Sequence, residues 1–327
     1  MLIPLRQFLV MIALFVAGVA GLLILPAFYF RGSEKLPYSR MLYRAYLLEL
    51  ASRICGRIGL AAARRVGRFF GTLYSWTHPG TTAIVQKNLS LLTREIVPPC
   101  RARRVFSSYG ATMADYLTLG TCSKERATEL MYEKDGIQHL ERVNREGNGC
   151  LIVTAHFGLF ELGGLLLTNV GFPTTILTLP EPSRELTDWR ARYRKRWEIN
   201  TLEVGEEDFS FLKIVRELQQ GKFVAALADR PYQRSYVPVD FPNGKVPFSS
   251  GPVLIALLAR CPIVPGAIIV LPSGGYRMQA YPPLYPHLHQ GSRDETMRFF
   301  TQEIARALLP ALCQYPEQWY QFGPISC

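Results

Sequence analysis

Leu151-Ile152-Val153-Thr154-Ala155-His156-Phe157-Gly158-Leu159-Phe160-Glu161-Leu162-Gly163-Gly164 is the stretch that decides how this 327-residue chain folds. A short continuous apolar run bounded by small residues reads as a fully buried strand. The apolar spacing that follows predicts a helix over about Phe157 to Leu167. A strand thus delivers the His156 imidazole to the start of a helix, and the Glu161 carboxylate lies about one turn on, placed to orient the ring. In open α/β sheets the site gathers outside the carboxyl ends of the strands. The arrangement suits activation of a hydroxyl.

Spacing alone does not single out this pair, because a His-x4-acid match arises by chance in about a third of chains of this composition. His289 has Asp294 at the same distance, but it sits in the polar stretch Gln290-Gly291-Ser292-Arg293 with no apolar strand before it. Context selects His156 over His289.

Outward from this stretch, the chain alternates. Strands are expected at Cys150 to Thr154, Thr174 to Thr178, Phe223 to Leu227 and Ile263 to Leu271. Helices are expected at about Glu185 to Trp197, Phe211 to Gln220, Gly251 to Ala259 and Glu295 to Cys313. Tyr276 to Tyr281 reads as an antiparallel edge strand. Such alternation predicts an α/β fold with a mixed, largely parallel sheet flanked by helices. Before about residue 148 only helical patterns occur, at Tyr43 to Gly71, Thr82 to Leu92 and Arg101 to Leu119. The expected organisation is an anchor at 1–31, a helical N-terminal region at 32–147 packed on the catalytic part, and an α/β core at 148–327.

The anchor is read from the absence of charge between Phe8 and Phe30. Twenty-three residues in helical form span about 34 Å, enough for a bilayer core of about 30 Å. Arg6 precedes the segment, whereas Arg31, Lys35, Arg40, Arg44, Arg53 and Arg57 follow it. The positive-inside rule therefore predicts a single-pass protein of the inner (cytoplasmic) membrane with its bulk facing the cytoplasm. A cleaved signal peptide is the alternative, since Gly18-Val19-Ala20 offers a small-x-small site. The basic, apolar-striped stretch at Tyr43 to Gly71 fits either a helix lying on an anionic membrane or a core helix with a solvated face.

With 37 basic against 26 acidic residues, the net charge of +11 favours anionic partners. Seven cysteines, odd in number and without a C-x-x-C pair, suggest structural thiols rather than a disulfide framework or a zinc site. No metal or cofactor is expected. No nucleic-acid motif accompanies the positive charge.

Two further stations carry chemistry. Asp229-Arg230 follows the apolar run Phe223 to Leu227, so it shares a sheet edge with His156 if the strands are parallel. Between the two lies Trp189-Arg190-Ala191-Arg192-Tyr193-Arg194-Lys195-Arg196-Trp197, in which Arg190, Arg192 and Arg194 are candidate ligands for phosphate or carboxylate, or simply a solvated helix face. Phe248-Ser249-Ser250-Gly251-Pro252 opens an apolar helix, where serine before Gly-Pro suits capping. There is no G-x-S-x-G elbow, so a serine hydrolase is not indicated.

In order along the chain, Gln86-Lys87-Asn88-Leu89, the His156 and Glu161 box, Asp229-Arg230, Phe241-Pro242-Asn243-Gly244 with Phe248 to Pro252, and Pro316-Glu317-Gln318-Trp319-Tyr320 resemble the bacterial lipid A late acyltransferases. These lauroyl and myristoyl transferases are a branch of the lysophospholipid acyltransferase superfamily. The chain departs from that pattern twice. Gln321-Phe322-Gly323-Pro324 replaces a usual His-Arg-Arg, and Arg230 stands where glutamine is frequent.

The resemblance implies an O-acyltransferase that needs no cofactor. It would take an acyl group from acyl-carrier protein or acyl-CoA and place it on a hydroxyl of a membrane lipid, as in lipid A acylation. His156 would act as general base with Glu161 holding its ring. Arg190, Arg192, Arg194, Asp229, Arg230 and Gly251 would bind substrate, with Arg230 or the amides at the start of the helix after His156 facing the oxyanion. The departures leave open a different acceptor, such as another glycolipid, an aminolipid or a pigment lipid. A non-catalytic basic protein, bound to a membrane surface or to nucleic acid, is the remaining alternative.

Overall fold

A computed structural model describes residues 45–326 except 148, 180, 182, 205–208 and 232–234. The expected membrane-spanning segment lies outside the described residues. Among those described, no helix is long and apolar enough to cross a membrane.

The described residues open with four helices: α1 (Ala45–Ile58), α2 (Leu60–Thr77), α3 (Pro79–Leu89) and α4 (Pro99–Leu119). From residue 45, the stretch expected at 43–71 is therefore two helices, broken at Gly59, whose φ of 81° lies in the left-handed region. The helix α2 lies almost against α4 because Gly67 and Gly110 face one another, and a Cβ on either would run into the other's carbonyl. Arg64, inside α2, is buried there. It clamps Asp115 of α4 at 2.5 and 2.8 Å and reaches Gly274 O at 2.6 Å and the Tyr276 hydroxyl at 3.0 Å. A buried cation tolerates such a place only with its charge met and its donors used. The helical layer is thereby locked to the sheet.

Next come α5 (Lys124–Glu129), β1 (Met131–Asp135), α6 (Ile137–Glu146), β2 (Cys150–Thr154), α7 (Gly163–Asn169), β3 (Thr174–Thr178), α8 (Arg184–Lys195), β4 (Asn200–Glu203), α9 (Phe209–Gln219) and β5 (Phe223–Leu227). The hairpin β6 (Tyr236–Phe241) and β7 (Gly244–Ser249) precedes α10 (Gly251–Ala259), β8 (Ile263–Val270), β9 (Tyr276–Ala280) and α11 (Arg293–Gln314). Seven strands form one sheet in the order β1-β9-β8-β2-β5-β3-β4. Only the β8–β9 pair in it is antiparallel.

This is the expected α/β architecture, with two corrections to its edge. A strand does precede residue 148: β1, Met131-Tyr132-Glu133-Lys134-Asp135, is largely solvent-facing and so lacks an apolar run. Because β1 pairs outside β9, the 276–280 strand is antiparallel to β8 but is not the edge. The helix expected from Phe157 also starts later, at Gly163, after a single 3-10 turn at Phe160–Leu162.

The core strand β2 is apolar on both faces, as its place between β8 and β5 requires. Chain order changes direction around it, since β3 is reached by crossing over β5 whereas β8 lies on the other side. That switch opens a crevice at the carboxyl edge of β2.

Candidate active site

The register of β2 and β5 builds the centre. Cys150 pairs with Phe223 and each following residue keeps step to Thr154 with Leu227. His156 lies two residues past the end of β2 and Asp229 two past the end of β5. Two equal overhangs on parallel neighbours bring those residues face to face. The His156 Nδ1 stands 2.7 Å from Asp229 Oδ1, and the His156 backbone N–H donates to both carboxylate oxygens at 3.0 Å.

The Asp229 carboxylate collects two more donors from the carboxyl-terminal segment. Trp319 Nε1 donates to Oδ2 at 3.0 Å and Gln321 Nε2 to the same atom at 2.7 Å. Burial on its own would raise the carboxyl pKa, but the imidazole, the hydrogen bonds and the nearby Arg230 draw it down to about 2. An ionised carboxylate can only accept, so Nδ1 carries the ring proton and Nε2 keeps its lone pair. Burial, and then the Arg230 charge, lower the His156 pKa below 6.5 against the opposing pull of Asp229. The ring is therefore neutral at neutral pH, which a proton acceptor requires.

Glu161 does not orient the ring, which corrects the expected role. Its carboxylate accepts from Arg190 Nη1 at 3.0 Å and from Arg194 Nη2 at 2.9 Å, both on the inner face of α8. Arg190 also meets Glu181 at 3.0 Å. Two guanidinium groups and two carboxylates thus neutralise one another beside the imidazole. Burial pushes the Glu161 pKa up, and Arg194 and Arg190 more than reverse that, bringing it to about 2. Arg192 points the other way and is exposed, so it does not join the site.

The first three amides after His156 are committed. Phe157 N–H donates to Ala155 O, Gly158 N–H to Gln318 O and Leu159 N–H to Ile268 O. These three amides are already used, whereas the turn that follows them begins only at Phe160. Gly158 has φ of 55°, and a Cβ there would strike the Ile268 carbonyl, so this glycine is what lets the strand exit pass between β8 and the carboxyl-terminal segment.

That segment straps the site. Tyr320 N–H donates to His156 O at 2.8 Å, and Asn88 of α3 donates to the carbonyls of Gln321 and Gly323 at 2.9 and 2.7 Å. Arg230 donates through Nη2 to Tyr320 O at 2.5 Å and through Nε to Gln321 Oε1 at 3.2 Å. The two departures from the family pattern therefore touch. The serines before α10 also differ from expectation. Ser250 makes no side-chain cap, whereas Ser249 Oγ accepts from Gly251 N–H at 3.3 Å.

His156 opens onto a cavity of about 550 Å³, also lined by Arg190, Arg194, Arg230 and Gly251. One wall is the face of the sheet itself. Ile176, Ala225, Ile152 and Val264 stand side by side across four strands in register, and all four line the cavity. The small Ala225 between two isoleucines leaves room above the sheet. An apolar trough ends at an imidazole and a cation, which is the shape for a fatty chain with its carbonyl at the polar end. The decoy histidine has no such setting, for His289 is exposed and bonded through Nδ1 to Thr296 at 2.9 Å.

Asp229 was visible in the sequence as a station but not as the partner of His156. The readable signal was the matching overhang, five-residue apolar runs each followed after one residue by His156 and Asp229. Trp319 and Gln321 carried no such signal.

A sequence profile described as bacterial lipid A biosynthesis acyltransferase matches residues 33–324. The chain is similar to the phosphatidylinositol mannoside acyltransferase of Mycolicibacterium smegmatis, 25% identical over 232 residues, covering 70% of this chain and 73% of that protein. It is 23% identical over 222 residues to the enzyme of the same description from Mycobacterium tuberculosis (strain CDC 1551 / Oshkosh), covering 66% of this chain and 67% of the relative.

Proposed function

The chain belongs to the bacterial lipid A biosynthesis acyltransferase family and is an O-acyltransferase, and from that premise we propose that it moves a fatty acyl group from a thioester to a sugar hydroxyl of a membrane glycolipid, with His156 as general base. The observation that carries this is the His156–Asp229 pair at the end of an apolar cavity.

In this mechanism Nε2 of His156 takes the proton of the acceptor hydroxyl as its oxygen attacks the thioester carbonyl. Asp229 stabilises the imidazolium that forms. Arg230, at the cavity wall, stabilises the oxyanion. The C–S bond then breaks and the thiolate leaves as a thiol with the proton held by His156. Positioned general-base catalysis of this kind contributes about 10²–10⁴-fold.

The donor is an acyl-carrier protein or acyl-CoA, both anionic outside the thioester. The exposed Arg192 and Lys195 suit such a partner. The acceptor sugar is that of a lipid A precursor or of a phosphatidylinositol mannoside, the second favoured by the two mycobacterial relatives. Access from a cytoplasmic membrane surface is supported by α2, where Phe69, Leu73 and Trp76 are 63%, 47% and 62% exposed along one face beside exposed Arg65 and Arg68. The uncharged segment at 8–30 would hold the chain there.

Purified full-length protein in lipid nanodiscs, given acyl-CoA or acyl-carrier donors, is expected to acylate one of these two acceptors. His156→Ala is expected to lose about 10²-fold or more in kcat while keeping its unfolding temperature. Full activity in that variant would remove His156 from the mechanism. Lipid profiles of cells with and without the gene separate the acceptors, since an intact lipid A sinks the lipid A alternative.

A further inference from the structure

Asp229 and Arg230 are adjacent in sequence and opposite in charge, and each is needed elsewhere, one against the imidazole and the other at the cavity. Nothing about the two side chains alone prevents them from pairing with each other. A single amide stands between them. Gln321, 2% exposed, gives its two N–H groups to the Asp229 carboxylate at 2.7 Å and the Asp229 carbonyl at 2.9 Å, and its Oε1 accepts from Arg230 Nε at 3.2 Å. The opposite amide orientation would set oxygen against carboxylate and NH2 against guanidinium, so the charges themselves fix which way it points.

We infer that Gln321 is a positioning residue which keeps Asp229 and Arg230 apart, reserving the carboxylate for His156 and the guanidinium for the cavity. A neutral dipole suits this task because it satisfies both ions without neutralising either. Asn88, through its bond to the Gln321 carbonyl, and Trp319, through its bond to Asp229, hold the amide and the carboxylate in register. Among the described residues, the charged groups that act on the His156 ring are Arg230, Asp229 and Glu161, the last with its charge met by Arg190 and Arg194. A change at Gln321 thus reaches the ring through Asp229 and Arg230.

The inference rests on the proposed general base, but its test does not need turnover. Full-length protein with ring-¹³C histidine is titrated by NMR in detergent micelles, the His156 signal being assigned by its loss in His156→Gln. Gln321→Met lets Arg230 close on Asp229, so the His156 pKa is expected to fall by about half a unit or more. Gln321→Glu ties up Arg230 and adds negative charge, so the pKa is expected to rise by about as much. Adding Arg230→Met to Gln321→Met removes the competitor and is expected to return the value to that of the parent or above. Shifts of opposite sign, with rescue, do not come from loosened packing. A His156 pKa that stays put in both single variants, or moves the same way in both, overturns the inference. Absence of acyl transfer in the parent protein, with the titration behaving as described, counts instead against the proposed function.

Discussion

Two buried carboxylates flank the same imidazole, and they are built differently. Asp229 is held by backbone N–H, the imidazole, indole and amide groups, with the nearest guanidinium kept on the far side of Gln321. Glu161 is held by two guanidinium groups. The first surroundings leave a net negative charge facing His156, and the second cancel it. An acid hydrogen-bonded mainly by neutral donors keeps charge with which to support a cation, whereas one paired with two guanidinium groups fixes the helix that carries them.

The sharpest way to break this contrast is to neutralise each acid in turn. Asp229→Asn keeps the shape but removes the charge and the fixed tautomer. It is expected to lower kcat by about 10²–10⁴-fold with little change in KM, measured by acyl transfer at saturating donor. Glu161→Gln leaves two buried cations short of a partner. It is expected to cost about 3 kcal/mol of stability, read from denaturant unfolding, with a smaller loss of kcat than Asp229→Asn. A larger kcat loss in Glu161→Gln would return Glu161 to the catalytic role.

Acid sharpens the comparison further. The carboxyls of Glu161 and Asp229 are both depressed to about 2 in the folded protein, from 4.5 and 3.8. A depressed acid contributes stability that is fully present above its unfolded value and is lost as pH falls through the folded one. The unfolding temperature is therefore expected to drop as pH falls from about 4.5 toward 2, more shallowly in Glu161→Gln than in the parent. His156 titrates in the same direction, at higher pH. Its folded value lies below 6.5, so kcat/KM is expected to fall on the acid side only below that pH and to be flat just above it. The smallest effect is expected at Arg192→Ala. This exposed side chain should leave kcat within about twofold and stability within about 0.5 kcal/mol, and raise KM for an acyl-carrier donor by no more than about threefold.

What the sequence disclosed follows from this division. The strands β2, β5 and β8 were legible because each is a continuous apolar run, the pattern forced on strands covered on both faces. The strands β1 and β4 are polar and lie at the two edges of the sheet, so they carry no such pattern. The hairpin β6–β7 is obscured by Pro238 and Pro247 in its paired positions. His156 and the Asp229-Arg230 station were legible because residues at strand exits share an edge. The partner of His156 was not, since Glu161 is near in sequence whereas Asp229 is near only once β5 lies beside β2. That the cations Arg190 and Arg194 would be spent on Glu161 and Glu181 required the packed geometry of α8. Trp319 and Gln321 arrive by a tertiary contact that no local pattern announces.

The matched overhangs of β2 and β5 also limit how this enzyme can vary. Pairing at a constant offset of 73 residues from Cys150 with Phe223 onward makes the meeting of His156 and Asp229 a matter of chain length between strand end and side chain. Deleting or inserting one residue at Ala155 or at Ala228 would turn the side chain to the opposite face of the sheet. The residues that flank these exits can be exchanged without disturbing the meeting, but a frame-preserving gain or loss of one codon there is expected to undo it.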